Sequence, residues 1–162
     1  MKKMVFILSL VLVLSVSEIY SFGIGAQFNF GASGVFAPGF ALLVSPSRSS
    51  NLAVNWVFSD NSPGNVGITY DLVPVNLPIM RFAGGSLNFT LGAGLFGNAV
   101  LGDNRALGSG LRIPVGISVF TLNNFLEIFA HIAPSFGVEF VPSMKFSRPF
   151  YPIALGVRLW FN

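Results

Sequence analysis

The sequence contains no cysteine, and only 9% of its 162 residues are charged. The absence of cysteine excludes disulfides, thiol nucleophiles, thiolate metal sites and a lipidated N-terminal cysteine. The charged fraction lies far below the roughly 25% of a soluble domain, whereas apolar residues make up 52%. This composition predicts one domain whose surface largely contacts something apolar.

The polar residues of the sequence do not support binding of nucleic acid, metal or phosphate. The nine Lys and Arg residues are scattered and form no basic patch with interleaved aromatic residues, so we expect no nucleic-acid binding. A single histidine and dispersed carboxylates do not make a metal-ligand set. The glycines follow strands and turns and do not form a phosphate-binding loop. The sequence therefore predicts no metal and no cofactor.

The first 21 residues have the layout of a secretory signal peptide. Lys2 and Lys3 precede an apolar run at 4–16, and cleavage after Ser17 or after Ser21 fits the small residues that follow, with Ser21 preferred. The run is shorter than the roughly 20 residues of a membrane-spanning helix, and no later run is long enough. We expect a signal peptide at 1–21 and one domain at 22–162, which could cross a membrane only as a closed β-barrel.

The end of the chain shows the strand pattern most clearly. From Ile153 to Phe161, bulky apolar residues alternate with Ala154, Gly156, Arg158 and Trp160, which is the period of a strand with two different faces. Similar alternation predicts eight strands, at about 22–30, 35–45, 52–58, 66–72, 87–95, 111–119, 126–139 and 151–161. Between them we expect a long connection at 74–85, loops at 60–65, 98–108 and 141–149, and a two-residue turn at Asn123 and Asn124.

The polarity of the two faces indicates which one contacts lipid. Bulky apolar residues fill one face, whereas the other carries Gly, Ala, Asn, Thr and the charged residues Asp71, Arg112, Glu127, Glu139 and Arg158. A charge on the lipid face of a barrel costs roughly 2–4 kcal/mol at mid-membrane. The pattern therefore predicts an all-β, eight-stranded, antiparallel up-and-down transmembrane β-barrel with its charges inside.

An eight-stranded barrel is just wide enough to be filled by its own side chains. We expect Glu127 and Arg158 to pair in the lower lumen, with Asp71 at a similar depth, and Arg112 to pair with Glu139 in the upper lumen, because a buried charge needs a partner. A structural plug is favoured over a gate or a proton path.

The single histidine, His131, forms a weaker candidate site with Ser118 and Glu127 on the same inward face. A Ser–His–Glu set resembles that of hydrolytic outer-membrane barrels that deacylate lipid. In those enzymes the site usually opens to lipid near the outer rim, whereas this set points inward. We therefore expect no catalytic residue and no enzyme activity, with a lipid or lipid A deacylase as the alternative.

Two segments, GLRIPVGI at 110–117 and LEIFAHIAP at 126–134, resemble a recurring block in a family of uncharacterised spirochaete outer-membrane proteins. That family is similar in fold to the OmpA transmembrane domain, OmpX and OmpW. The runs GAGL at 92–95 and GVRLWF at 156–161 fit the same pattern, although Asn162 follows the expected terminal Phe. The resemblance implies an eight-stranded barrel with surface loops in the bacterial outer membrane, and it carries over no catalytic residue.

These observations predict a small outer-membrane barrel with a structural or surface-interaction role. The alternatives are a narrow channel or carrier for small apolar molecules and a lipid-modifying hydrolase. The expected partners are the lipid bilayer and its outer-membrane lipids, an undefined surface ligand, and the barrel-assembly machinery. The last expectation rests on the strand from Tyr151 to Phe161, which resembles the signal that this machinery reads.

Overall fold

The computed structural model describes residues 21–30, 38–57, 64–101 and 105–161. Within these ranges the chain forms β-strands and turns. No helix in the described part of the chain is long and apolar enough to cross a membrane. The predicted signal peptide, apart from Ser21, lies outside the described residues, as do the first three residues of the strand predicted at 35–45 and most of the loop at 60–65.

Eleven strand segments follow one another along the chain. They are β1 (Phe22–Phe30), β2 (Gly39–Ser47), β3 (Ser50–Val57), β4 (Gly64–Phe82), β5 (Gly85–Leu101), β6 (Ala106–Arg112), β7 (Val115–Thr121), β8 (Leu126–Ile132), β9 (Ser135–Val141), β10 (Lys145–Phe146) and β11 (Ile153–Phe161).

Six of these segments combine into three long strands. β5 pairs with β7 near its start and with β6 near its end without a change of register, so β6 and β7 form one long strand. β8 pairs with β7 and β9 pairs with β6, again in one register at the junction, so β8 and β9 form a second long strand. The two interruptions contain Pro114 and Pro134, which have no N–H to donate. Their carbonyls still accept, from Gly92 N–H over 2.8 Å and from Ile113 N–H over 2.9 Å. β10 and β11 form the third long strand, so the barrel has eight strands.

The eight strands close into a ring. Sequential neighbours pair antiparallel, and β11 returns to pair with β1 from Phe22 opposite Phe161 to Phe30 opposite Ile153. The closure confirms the predicted all-β, eight-stranded antiparallel barrel. We call the end that holds Phe22 and Phe161 the terminal end, and the opposite end, where β5 connects to β6, the loop end.

Alternation places the two faces of each strand in different surroundings. Along β11 every odd-numbered residue is exposed on the outside, and every even-numbered residue is buried in the lumen. Trp160, on the inward face, is only 2% exposed. Small and apolar side chains pack together on the inside, where Ala41, Leu43, Ala53 and Phe129 form a buried cluster. The lumen is therefore filled by side chains, as an eight-stranded barrel requires.

The long connection predicted at 74–85 is wrong. β4 continues to Phe82, and a two-residue turn leads into β5. Pro74 and Pro78 favoured a loop in the sequence, but β3 reaches only as far as Leu72, which lies opposite Ser50. Beyond that point the outer edge of β4 has no neighbouring strand among the described residues, and an edge strand tolerates proline because no ladder hydrogen bond is lost.

Two other connections also differ from the sequence prediction. β5 extends to Leu101 and β6 starts at Ala106, so most of the loop predicted at 98–108 is strand. The turn between β7 and β8 contains four residues instead of two. Leu122, Asn123 and Asn124 all have positive φ values there, of 53°, 56° and 66°.

The tight β4–β5 turn requires a left-handed backbone conformation at Gly84, whose φ is +80°. An L-residue in this region costs about 1–2 kcal/mol, so we expect Gly84→Ala to lower the free energy of unfolding by that amount. Urea unfolding of the refolded protein in lipid vesicles measures it.

The matched control is Gly97→Ala, because a Cβ at Gly97 would meet nothing closer than 3.6 Å. Its effect should stay within about 0.5 kcal/mol. Equal values for the two variants would contradict a left-handed turn residue at position 84.

Candidate functional site

Four charged side chains from four different strands are buried in the lumen. Asp71 lies on β4, Arg112 on β6, Glu127 on β8 and Arg158 on β11, and each is at most 6% exposed. Each occupies an inward position of its strand because the bulky residues on either side face outward. Burial without compensation would cost several kcal/mol per charge, so their partners decide what the lumen can do.

The layer nearest the terminal end joins Glu127 and Arg158. These residues are direct cross-strand partners, and Arg158 Nη1 donates to Glu127 Oε2 over 3.0 Å. The same carboxylate oxygen accepts from the indole Nε1 of Trp160 over 2.8 Å. The Arg158 guanidinium also lies over the rings of Phe129 and Trp160, at 4.9 and 5.2 Å. The structure thus brings together the pair expected in the lower lumen.

Arg48 adds a further cation at the terminal end, which the sequence did not predict. It lies in the turn between β2 and β3 and is half-buried. Its guanidinium lies 5.1 Å from the Trp160 ring centroid and 5.4 Å from that of Phe120. Cation–π contacts of this kind contribute roughly 0.5–2 kcal/mol each. The turn therefore places a side chain across the terminal mouth of the lumen.

The next layer contains Asp71, Arg112 and His131. Arg112 Nε lies 3.2 Å from Asp71 Oδ1, an ion pair by distance whose atoms are not aligned for a hydrogen bond. Arg112 Nη2 lies 3.2 Å from His131 Nε2. The two charged residues come from strands on either side of β5, where Gly94 is paired with both. A Cβ at Gly94 would collide with the Asp71 carboxylate, so the glycine leaves the space in which the pair forms.

The predicted pairing of Arg112 with Glu139 is wrong. Arg112 lies opposite Ser135 on β9, whereas Glu139 lies opposite Gly108, four residues further toward the loop end. Glu139 pairs instead with Lys145 at 2.9 Å. The Lys145 side chain is 58% exposed and that of Glu139 is 23% exposed, so this pair belongs to the mouth of the barrel and contributes at most about 1 kcal/mol.

The candidate hydrolytic residues do not form a catalytic unit. His131 faces the lumen, stacks on Phe129 with ring centroids 5.8 Å apart, and contacts Arg112. Ser118 Oγ is buried and has no hydrogen-bond partner in the part of the chain that the structure describes. Glu127 is already engaged by Arg158 and Trp160. A serine nucleophile needs a base within hydrogen-bond reach, and Ser118 lacks one here.

A chain of amide side chains lies on the opposite wall of the lumen. Gln27 Nε2 donates to Asn29 Oδ1 over 2.7 Å, and Asn29 Nδ2 donates to Asn55 Oδ1 over 2.8 Å. The small inward residues of β2 between these strands, Gly39 and Ala41, let side chains of β1 and β3 meet. The sequence placed these amides on the inward face, but alternation alone could not show that they bond to one another.

These layers divide the free space of the lumen. A cavity of about 40 Å³ near the terminal end is lined by residues that include Arg48, Glu127, His131 and Arg158, which is room for about three water molecules. A larger cavity of about 320 Å³ opens at the loop end. Among the residues described, no group of three or more His, Asp or Glu side chains could hold a metal ion.

Comparison with known proteins gives a family and a similar structure. Residues 43–159 match the protein family described as "Protein of unknown function (DUF3996)". No curated protein matches the chain. The crystal structure of the N-terminal β-barrel domain of Pseudomonas aeruginosa OprF is similar at 14% sequence identity and a TM-score of 0.48, covering 89% of this chain and 99% of that chain.

The buried ion pair predicts a large effect of neutralising Glu127. Glu127→Gln removes the counter-charge that Arg158 contacts in the lumen, and we expect it to lower the free energy of unfolding by about 3–5 kcal/mol. Urea titration of the protein in lipid vesicles measures the change.

Glu139→Gln is the matched control, because it removes the same charge from an exposed pair and should cost no more than about 1 kcal/mol. The double variant Glu127→Gln/Arg158→Gln should be more stable than Glu127→Gln alone. Equal losses for Glu127→Gln and Glu139→Gln would contradict a buried, structural ion pair.

Proposed function

Because the chain belongs to the DUF3996 family of proteins of unknown function, we propose a function from its own structure. It is a small bacterial outer-membrane β-barrel protein whose outer wall contacts lipid and whose lumen is plugged by its own side chains. Its role is structural or is carried out by the end of the barrel that faces the outside of the cell.

The observation that carries this proposal is the inverted distribution of polarity. Leu95 and Leu155 on the outer wall are 56% and 51% exposed, whereas Arg112 and Arg158 in the lumen are 6% and 5% exposed. In water, this arrangement would expose a continuous apolar wall, at a cost of roughly 25 cal/mol per Å². In a bilayer the same wall is matched to hydrocarbon, and the charges are kept away from it.

Backbone pairing also supports a membrane location and suggests a boundary. Hydrocarbon offers no hydrogen-bond partner to an unpaired strand edge, and the pairing of β1 with β11 joins the first and last strands along the described body of the barrel. The edge of β4 beyond Val73, which donates its N–H to Ser49, has no strand beside it among the described residues. We therefore place the β4–β5 turn outside the hydrocarbon, on the periplasmic side with the chain termini.

The contents of the lumen argue against an open channel. The Glu127–Arg158 layer and the Asp71–Arg112 layer both lie across the bore, and Arg48 lies over the terminal mouth. The cavity near that end holds only about three water molecules. A path for ions or for apolar molecules would need at least two buried ion pairs to separate.

The hydrolase alternative has less support than the channel alternative. It requires a hydrogen-bonded nucleophile and base, and Ser118 has no hydrogen-bond partner in the described part of the chain. The partners of the proposed protein are the lipids around the wall and, during assembly, the machinery that would read β11. That strand pairs on both sides, with β8 and with β1, and so closes the ring.

Heat-dependent gel migration with a conductance recording tests the proposal. Detergent-refolded protein that is kept unheated should migrate differently from a boiled sample, because a closed barrel resists dodecyl sulfate. In planar bilayers the same preparation should give no discrete conductance steps. Identical migration of the two samples would contradict a closed barrel, and steady unitary currents would favour the channel alternative.

A lipid-turnover assay separates the hydrolase alternative. The refolded protein should release no fatty acid from phospholipid or lipid A, and His131→Ala should leave that baseline unchanged. Release that disappears in His131→Ala, with migration of the folded barrel retained, would establish the enzyme in place of the structural role.

A further inference from the structure

The loop end of the barrel contains a second cavity, separate from the small one near the terminal end. Its volume is about 320 Å³, at the lower end of the roughly 300–1,000 Å³ of small-molecule sites. We call it the outer vestibule, and its principal lining residues are Phe96, Asn98, Glu139, Lys145, Arg148 and Phe150. A site of this size favours a small ligand.

The floor of the outer vestibule is aromatic. Phe96 and Phe150 pack edge to face with ring centroids 5.3 Å apart and planes at 81°. Phe96 is 6% exposed, so its position is fixed by the surrounding wall. Two rings held in this way present a rigid apolar surface, which favours a ring or short acyl group over a flexible polar chain.

One wall carries the side chain of Asn98, which lines the cavity and is 8% exposed. Its amide group can donate a hydrogen bond to a ligand and accept one from it. This wall therefore offers a polar contact beside the aromatic floor.

The charged residues of the rim favour an anion. Glu139 and Lys145 neutralise each other at 2.9 Å. Arg148 lines the same cavity and forms no ion pair within the ranges that the structure describes. The uncompensated charge at the vestibule is therefore that of a guanidinium group, whose planar fork matches a carboxylate with two parallel hydrogen bonds.

We propose that the outer vestibule binds a small organic carboxylate, with the carboxylate on Arg148 and an aromatic or short acyl body on Phe96 and Phe150. This binding activity goes beyond the proposed membrane role and does not depend on transport through the lumen. The ligand enters and leaves at the loop end, which the proposed membrane role places on the outside of the cell.

The test uses 3-phenylpropionate as the probe, because it is water-soluble and has a single ring and one carboxylate. The full chain, refolded in lipid nanodiscs and labelled with ¹⁵N, is titrated while its amide signals are followed. We expect saturable shifts at Asn98 and at Ser147, which also lines the cavity. The neutral amide 3-phenylpropanamide and acetate should each bind at least about tenfold more weakly, because the amide lacks the carboxylate and acetate lacks the aromatic ring.

Arg148→Gln is the decisive variant, and Arg105→Gln is its matched control. Both remove an exposed arginine near the loop end, but Arg105 does not line the cavity. Arg148→Gln should weaken 3-phenylpropionate binding at least about tenfold, a typical effect of losing a charge-assisted contact, and Arg105→Gln should leave it unchanged. Arg148→Lys should bind with intermediate affinity, because it keeps the charge and loses the fork.

Three results would overturn the proposal. They are shifts that do not saturate, equal affinity for the acid and its neutral amide, and equal effects of Arg148→Gln and Arg105→Gln. Because heat-dependent gel migration reports the barrel independently, a folded barrel that binds no probe refutes the vestibule site and leaves the membrane role standing.

Discussion

Hydrogen-bond closure of the backbone is the constraint on which the rest of this structure depends. In the membrane location that we propose, the wall has no water to pair with a free strand edge, so the sheet must curve until its first and last strands meet. The pairing of β1 with β11 completes the ring. With eight strands the enclosed space is narrow, and that narrowness sets which side chains can point inward and how they must fit together.

The narrow bore explains how the charges are arranged. Glu127 and Arg158 are opposite each other on neighbouring strands and pair directly. Asp71 and Arg112 meet across an intervening strand because Gly94 leaves the space between them open. In a wider barrel these groups could be hydrated separately. Here each must find a protein partner, and the resulting layers fill the interior while the loop end remains open enough to form a cavity.

Two prolines of β4 account for the connection that was wrongly predicted at 74–85. Pro74 and Pro78 indicated a connection, but the structure places them on the part of β4 beyond Leu72, where the outer edge has no neighbouring strand in the described residues. Pro114 and Pro134 interrupt strands without breaking their register. The physical meaning of a proline in a sheet depends on whether its missing N–H would have faced a neighbouring strand, and one sequence does not reveal which strand edges are free.

The alternation of residues determined, by itself, the class of the fold, the number of strands and the face on which each of the five predicted lumen charges lies. It could do so because side chains on a strand alternate between its two sides, whatever the neighbours are. The tertiary structure alone decided the partners. Arg112 joined Asp71 instead of Glu139, Arg48 reached Trp160, and Ser118 Oγ found no hydrogen-bond partner among the described residues. Partner choice depends on the register between strands and on the gaps left by small residues, which exist only once the ring has closed.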